Sequence, residues 1–300
     1  MSHSVNNFDV LCVGHACYDL IFSVDHHPSE DEKIFAQSYH DCGGGPAANA
    51  AVIAARLGFN VAFAGYLGND LYGEKHLREL RDNGVDASFV VRGANPTPLS
   101  TVLVKPDGKR ALINYKGATR PLPADALNFS GLRAGAVLFD GHEPDLSPPL
   151  ADYCRRQAIA TVLDAGSVHP GTLALMDSVD YLVCSEKFAR QLAGDEEAAL
   201  GLLAKKSPAV VITLGHRGLI WRQGSERGHL PAFPISAVDS TGAGDAFHGA
   251  FAAAIAADMN WTETLRYASA AGAICCTRTG ARQGLATRQE LQTFLRQHPG

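Results

Sequence analysis

Short apolar runs alternate along the chain with longer stretches whose apolar residues recur at helical spacing. Phe8–Gly14 is an apolar run ending in glycine, the pattern of a buried strand. Ala47–Leu57 is alanine-rich at helical spacing, and Gly58 stops it. Val61–Ala64 returns to a strand pattern, and Leu71–Arg81 predicts a polar-faced helix closed by Asn83-Gly84. Ala136–Asp140, Thr161–Asp164, Tyr181–Cys184 and Val210–Leu214 are further apolar strands, with helical stretches such as Pro149–Gln157 and Glu186–Leu192 between them. Strands that alternate with helices imply parallel βαβ units with right-handed crossovers. The predicted class is therefore α/β, a central and mostly parallel sheet with helices on both faces.

Two segments break this rhythm. Leu99–Lys105 and Lys109–Tyr115 alternate in polarity around Pro106-Asp107-Gly108, a hairpin turn signal. Tyr18–Val24 and Lys33–Tyr39 predict a second strand pair around the polar loop Asp25–Glu32. Alternating strands leave one face open, so a small β-sheet projecting from the α/β body is expected, formed by about 18–39 and 99–115. It is placed to act as a lid or as the contact of a homodimer. With no low-complexity linker and no internal repeat, residues 1–300 read as one domain carrying this appendage.

Composition narrows the function classes. Hydrophobic residues make up 46% and charged residues 19%, the balance of a globular protein, and the net charge is −5. No block of Lys or Arg marks a nucleic-acid or membrane surface. The polar stretch Met1–Val10 has no apolar signal core, and the longest apolar run, Ala250–Ala257, is too short to span a bilayer. Seven cysteines, an odd number without a C-x-x-C pair, suggest free thiols in a reducing, cytoplasmic setting. Cys275-Cys276 lie in an alanine-rich helical stretch and read as small buried side chains.

The stretch Val238–Phe251 carries the most chemistry. Gly242, Ala243 and Gly244 precede helix-compatible residues, which describes a glycine-rich turn opening into a helix. Free N–H groups and the helix dipole make such a turn an anion site, and glycine lets a phosphate approach the backbone. Asp245 falls in the first helical turn, beside that site. A carboxylate there repels phosphate, so a mere phosphate binder gains by omitting it. It makes sense as the acceptor of a proton from a hydroxyl attacking a phosphoryl group. A first-turn carboxylate favoured by the dipole is the other reading, and spacing alone leaves the two level. Neither G-x-x-x-x-G-K-[ST] nor G-x-G-x-x-G occurs, and no G-x-S-x-G supports a hydrolase.

Asp239–Asp245 resembles the D-T-x-G-A-G-D signature of the ribokinase-like (PfkB) carbohydrate kinases. Three further motifs stand in that family's order: Gly14–Asp19, then Cys42–Ala51 followed by Arg56-Leu57-Gly58, then Thr213–Gly218, which is like its T-x-G-x-x-G. In motif style the chain is nearest the sulfofructose kinase and fructokinase branch. The resemblance implies a ribokinase-like fold and an ATP-dependent transfer of the γ-phosphate to a small sugar, with Mg²⁺ and a possible K⁺. It implies that Asp245 is the general base and Gly242, Ala243 and Gly244 the anion hole. Asp19, Gly44, Gly45 and Asn49 would bind the sugar, with Lys33, Asn114 and His142 as further candidates. Thr213, Gly215 and Gly218, with Thr241, Gly242 and Gly244, would line the ATP site. Asp239 and Thr241 would hold a monovalent cation.

One departure concerns the metal. Where relatives carry N-x-x-E, this chain has Ser185 and Phe188, which leaves Glu186 as a shifted carboxylate for the Mg²⁺ water shell. His142 stands where the sulfofructose kinases would be expected to carry a guanidinium, and a neutral imidazole is a poor bidentate anion partner. An uncharged ketose or related sugar follows. Two alternatives remain: a nucleoside or vitamin-alcohol kinase, for which Phe22, Phe35, Tyr39 and Tyr115 offer stacking surfaces, and a non-catalytic sugar or nucleotide sensor.

Overall fold

The computed structural model describes residues 7–299, so Met1–Asn6 of the polar N-terminal stretch lie outside it. In chain order the elements begin β1 (Asn7–Val13), β2 (Cys17–Ser23), β3 (Ser38–Gly44), α1 (Pro46–Arg56), β4 (Val61–Gly68), α2 (Leu71–Asp82) and β5 (Val85–Gly93). Then come β6 (Leu99–Val104), β7 (Arg110–Tyr115), β8 (Arg133–Phe139), α3 (Ser147–Gln157), β9 (Ala160–Ala165), α4 (Pro170–Leu175) and β10 (Tyr181–Ser185). After α5 (Glu186–Ala193) and α6 (Glu196–Leu203) follow β11 (Ala209–Thr213), β12 (Leu219–Gln223) and β13 (Glu226–Leu230). The chain finishes with α7 (Ala243–Ala256), α8 (Trp261–Cys275), the single turn α9 (Ala281–Gly284) and α10 (Arg288–Gln297).

A nine-stranded sheet has the order β13-β12-β11-β10-β9-β8-β1-β4-β5, parallel except for the β11–β12–β13 edge. Its inner strands are predominantly apolar because both faces are covered. In β1, Val10 and Cys12 join the core under α1, α7 and α8, while the alternate residues Leu11 and Val13 join the core under α3, α5 and α6. Seven thiols are free, and most are buried in these layers. No helix among the described residues is long and apolar enough to cross a membrane.

The second sheet has four strands in the order β3-β2-β6-β7. The two expected strand pairs exist as one sheet, because β2 and β6 join in parallel from Tyr18↔Leu99 to Ser23↔Val104. The expected strand Lys33–Tyr39 is displaced: β3 is Ser38–Gly44, and Lys33 lies in an exposed loop. Local polar bonding decides this. Ser29 donates from its N–H and hydroxyl to Glu32 (2.9 and 2.8 Å), and Asp31 takes φ 57°, so the loop turns upon itself before the strand begins. The glycines that end β3 hide it from a propensity reading, yet Gly43 and Gly44 pair opposite Tyr18 and Cys17.

Candidate active site

The glycine segment before α1 and the turn before α7 meet at the carboxyl ends of the central strands. Gly242 caps α7 at φ 77°, a conformation glycine adopts freely, and an added Cβ would stand 2.6 Å from the Ala281 side chain. Gly244 differs: a Cβ there would meet nothing within 4 Å, so its backbone faces open space at the helix N-terminus. His248, one turn on, braces this turn by bonding the Gly244 carbonyl at 2.6 Å and approaching the Val183 carbonyl of β10 at 3.3 Å.

Asp245 sits in the first turn of α7, and Asn49 Nδ2 donates to its Oδ2 at 2.6 Å. Burial pushes the Asp245 carboxyl up to about 6, with Asp19 and Asp140 adding like charge, while the Asn49 bond and Arg282 oppose the rise. A base titrating near neutrality is suited to taking a hydroxyl proton. Asn49 is buried in the first turn of α1, and its Oδ1 accepts from Arg282 Nε at 2.8 Å.

Asp19, on β2, lies against the glycine segment: a Cβ on Gly44 would stand 2.3 Å from its Oδ2. Burial raises its carboxyl, while the Cys17 thiol, which donates to Oδ1 at 3.2 Å, and the charge of Arg282 lower it. Gly45, at φ 97°, lets the chain pass the His15 carbonyl, where a Cβ would be 2.4 Å away. Asn114 shares a cross-strand row with Asp19 through Ser100 and so stands on the same face of the small sheet, although exposed. His142 stacks on His169 with ring centroids 4.9 Å apart and lies tilted against His15 at 5.2 Å. Lys33 is not brought to these residues by any hydrogen bond or ion pair among the described residues.

Of the residues expected to line the ATP site, Thr213 ends β11 and donates to the Cys184 carbonyl at 3.3 Å. Gly215 opens a one-turn helix at φ 59° with open space beside it, whereas Gly218, at φ 85°, is needed for packing, since a Cβ would lie 2.0 Å from the Leu230 carbonyl. Asp239 folds back on itself: Oδ1 accepts from Thr241 N and Oγ1 (2.9 and 2.6 Å), and Oδ2 accepts from Gly280 N at 2.8 Å. Those bonds hold its carboxyl below the usual range despite burial. Arg110, on β7 of the small sheet, reaches Thr241 Oγ1, so the appendage touches the anion turn.

The residues bear on the metal too. Ser185 caps α5 by accepting from Phe188 N at 3.1 Å, and Phe188 is fully buried in the core. Glu186 pairs with Arg190 at 2.5 Å and Arg217 at 3.2 Å. No group of three or more His, Cys, Asp or Glu among the described residues could cage an ion.

Several site residues are silent in the sequence. Asp140 Oδ2 accepts from the N–H groups of His15 (2.7 Å) and Ala47 (3.2 Å), and Oδ1 from His142 N (2.9 Å), tying three loops together. Glu143 accepts from Leu122 N and is pushed up to about 7, chiefly by burial. Arg282, only 3% exposed, also donates from Nε to the Gly43 carbonyl at 2.9 Å and from Nη2 to His76 Nε2 at 3.0 Å. The only sequence signal for Arg282 is a charged residue just after Gly280-Ala281, where an apolar helix has ended.

Comparison with known proteins places this arrangement. Ribokinase of Bacillus subtilis strain 168 is 31% identical over 291 residues, covering 96% of this chain and 99% of the relative. Fructokinase-1 of Zea mays is 31% identical over 288 residues, covering 84% and 88%. The solved ribokinase of Thermotoga maritima matches with a TM-score of 0.88 at 27% identity, covering 96% of this chain and 99% of that one. Arabidopsis thaliana ribokinase, complexed with ribose and ATP, matches with a TM-score of 0.85 at 28% identity, covering 96% and 99%. With residues 7–288 also matched by the profile for the pfkB family carbohydrate kinase, this chain belongs to the pfkB family of carbohydrate kinases.

Proposed function

We propose that this carbohydrate kinase moves the γ-phosphate of ATP onto a hydroxyl of a small sugar of the ketose or pentose type, with Asp245 as general base. The observation that carries the reading is the 2.6 Å bond between Asn49 and Asp245, which joins two motifs 196 residues apart in one site. ATP supplies the phosphoryl group when bound. Asp245 takes the proton of the attacking hydroxyl, and Asn49 keeps its carboxylate directed and charged. Asp19, Gly44, Gly45 and Asn49 hold the sugar, whose hydroxyls need matched buried partners. The backbone of Gly242, Ala243 and Gly244 meets the transferred charge through its N–H groups. Thr213, Gly215 and Gly218 border the nucleotide, with Asp239 and Thr241 shaping the turn and, more weakly, offering a monovalent-cation site. Glu186 would reach a magnesium ion only through water, since two arginines already neutralise it.

The chain acts as one catalytic domain, with the four-stranded sheet as lid and as the contact of a homodimer. The substrates are a free sugar and ATP in the cytoplasm, with no nucleic acid or membrane involved. A panel of pentoses, ketohexoses and nucleosides assayed for ADP release with ATP and Mg²⁺ tests the reading. Turnover confined to sugars, and strongly reduced in Asp245→Asn, is expected. Turnover only with nucleosides points to the nucleoside alternative, and saturable sugar binding without ADP release to a sensor.

A further inference from the structure

The mechanism above does not use the buried guanidinium behind Asn49. Arg282 Nε stands 2.8 Å from Asn49 Oδ1 and 2.9 Å from the Gly43 carbonyl, and Nη2 donates to His76 Nε2 at 3.0 Å. Glu79 lies 3.8 Å from Nε and accepts from Gly43 N at 2.6 Å, so the Gly43 peptide is held on both sides. Nη1 is buried with no partner among the described residues. A guanidinium has donors and no acceptors, whereas a primary amide has one of each and can turn either way. Whatever faces Arg282 must therefore be the amide oxygen, and the nitrogen is left to face Asp245.

We propose that Arg282 is a positioning residue for phosphoryl transfer: it fixes the direction of the Asn49 amide, so that Asn49 donates to the base Asp245, and it holds the Gly43 carbonyl at the head of the sugar-binding glycines. The inference rests on the reading of Asp245 as the base. Without Arg282 the amide is free to turn its oxygen toward Asp245, a contact that only a protonated carboxyl tolerates. The groups facing Asp245 are Asn49 of α1, Asp19 of β2, Asp140 after β8, Asp164 of β9, Arg282 of α9, and the thiols of Cys17 and Cys275. Burial, Asp19 and Asp140 raise the Asp245 carboxyl. The donors that oppose them are the Asn49 amide and the Arg282 charge, and the first depends on the second.

The test compares the full-length protein with Arg282→Met, Arg282→Lys, Asn49→Ala, the Asn49→Ala/Arg282→Met double variant and Asp245→Asn. The Asp245 carboxyl is titrated by carbon NMR, assigned through Asp245→Asn, and transfer from ATP to D-ribose and D-fructose is followed in parallel. Arg282→Met is expected to raise the Asp245 midpoint by about one pH unit and to lower transfer about tenfold or more. Lysine offers one point charge in place of a fork, so Arg282→Lys should recover only part of both. In the Asn49→Ala background, Arg282→Met should add only the smaller part of the shift that its charge alone supplies. An unchanged midpoint in a folded Arg282→Met protein overturns the proposal, and so does a shift that persists in full without Asn49, because the arginine then acts by charge alone. Should Arg282→Met fail to fold, an unchanged midpoint in Arg282→Lys overturns it. Transfer retained in Asp245→Asn sinks the base reading instead, whatever the arginine variants do.

Discussion

Asp245 is held in conflict with stability, and this sets its behaviour. Its carboxyl is raised from 3.8 to about 6, first by burial, so the charged form is less favourable folded than unfolded. The sign follows: at neutral pH the group lowers stability, the deficit shrinks as pH falls through about 6, and it vanishes below about 4 where both states are protonated. Asp245→Asn should therefore melt higher at pH 7, by on the order of 1–3 kcal/mol, with the advantage fading by about pH 4. The same variant should lose roughly 10²–10⁴ in kcat, the usual share of a general base. Thermal melts and steady-state kinetics check both, and near-native turnover removes the base assignment. In the wild type, kcat/KM should fall on the acid side of about pH 6, where Asp245 takes up a proton. Gly244→Val is a clean companion, since a Cβ there meets nothing within 4 Å. It should fold normally by circular dichroism yet lose far more kcat than sugar affinity, because the side chain occupies the space over the anion turn. Equal kcat would show that no phosphate approaches Gly244. These residues are legible in the sequence because glycine and carboxylate mark turns and proton chemistry by type. Arg282 and Asp140 are not, because each is defined by partners more than ninety residues away in sequence.

At the scale of elements, the α/β alternation and the Leu99–Tyr115 hairpin can be read from polarity, since period and turn residues are local. The parallel β2–β6 union and the start of β3 at Ser38 cannot, because they depend on pairing across distant segments and on glycines with no strand preference. That union has a consequence. It makes the hairpin one body with the strand bearing Asp19, and Arg110 links the same body to Thr241 of the anion turn. Should the sheet act as a lid, its motion would reach both ends of the site, and its closing would exclude the water that competes as phosphoryl acceptor. Amide exchange in β3, β6 and β7 should slow with a saturating sugar substrate, while β11 in the core changes little. Arg110→Ala should speed exchange in β7 and raise the KM for ATP more than that for sugar. Identical protection with and without sugar rules out the lid.

At the scale of the molecule, the small sheet carries exposed apolar side chains on one face. Rows Leu20–Thr101–Ile113 and Phe22–Leu103–Ala111 alternate with the row carrying Asp19 and Asn114, so they face away from it. On these strands Ile113 is 66% exposed and Tyr39 51%, with the Tyr39 ring 5.1 Å from that of Phe22. Exposed apolar side chains of this kind suit a contact with a second surface, and β7 is an edge strand of its sheet. A second copy meeting this face through a twofold axis would cover both the apolar rows and the edge, since such an interface presents the same patch from each side. The nine-stranded sheet and its two cores do not depend on that contact. Ile113→Asp should therefore convert a dimer to a folded monomer in sedimentation equilibrium, with the melting of the α/β body little changed. Because the same sheet carries Asp19 and Asn114, the monomer should also show a raised KM for sugar with kcat affected less. A wild-type protein that sediments as a monomer at micromolar concentrations removes the dimer. A monomeric Ile113→Asp with unaltered KM separates assembly from the site.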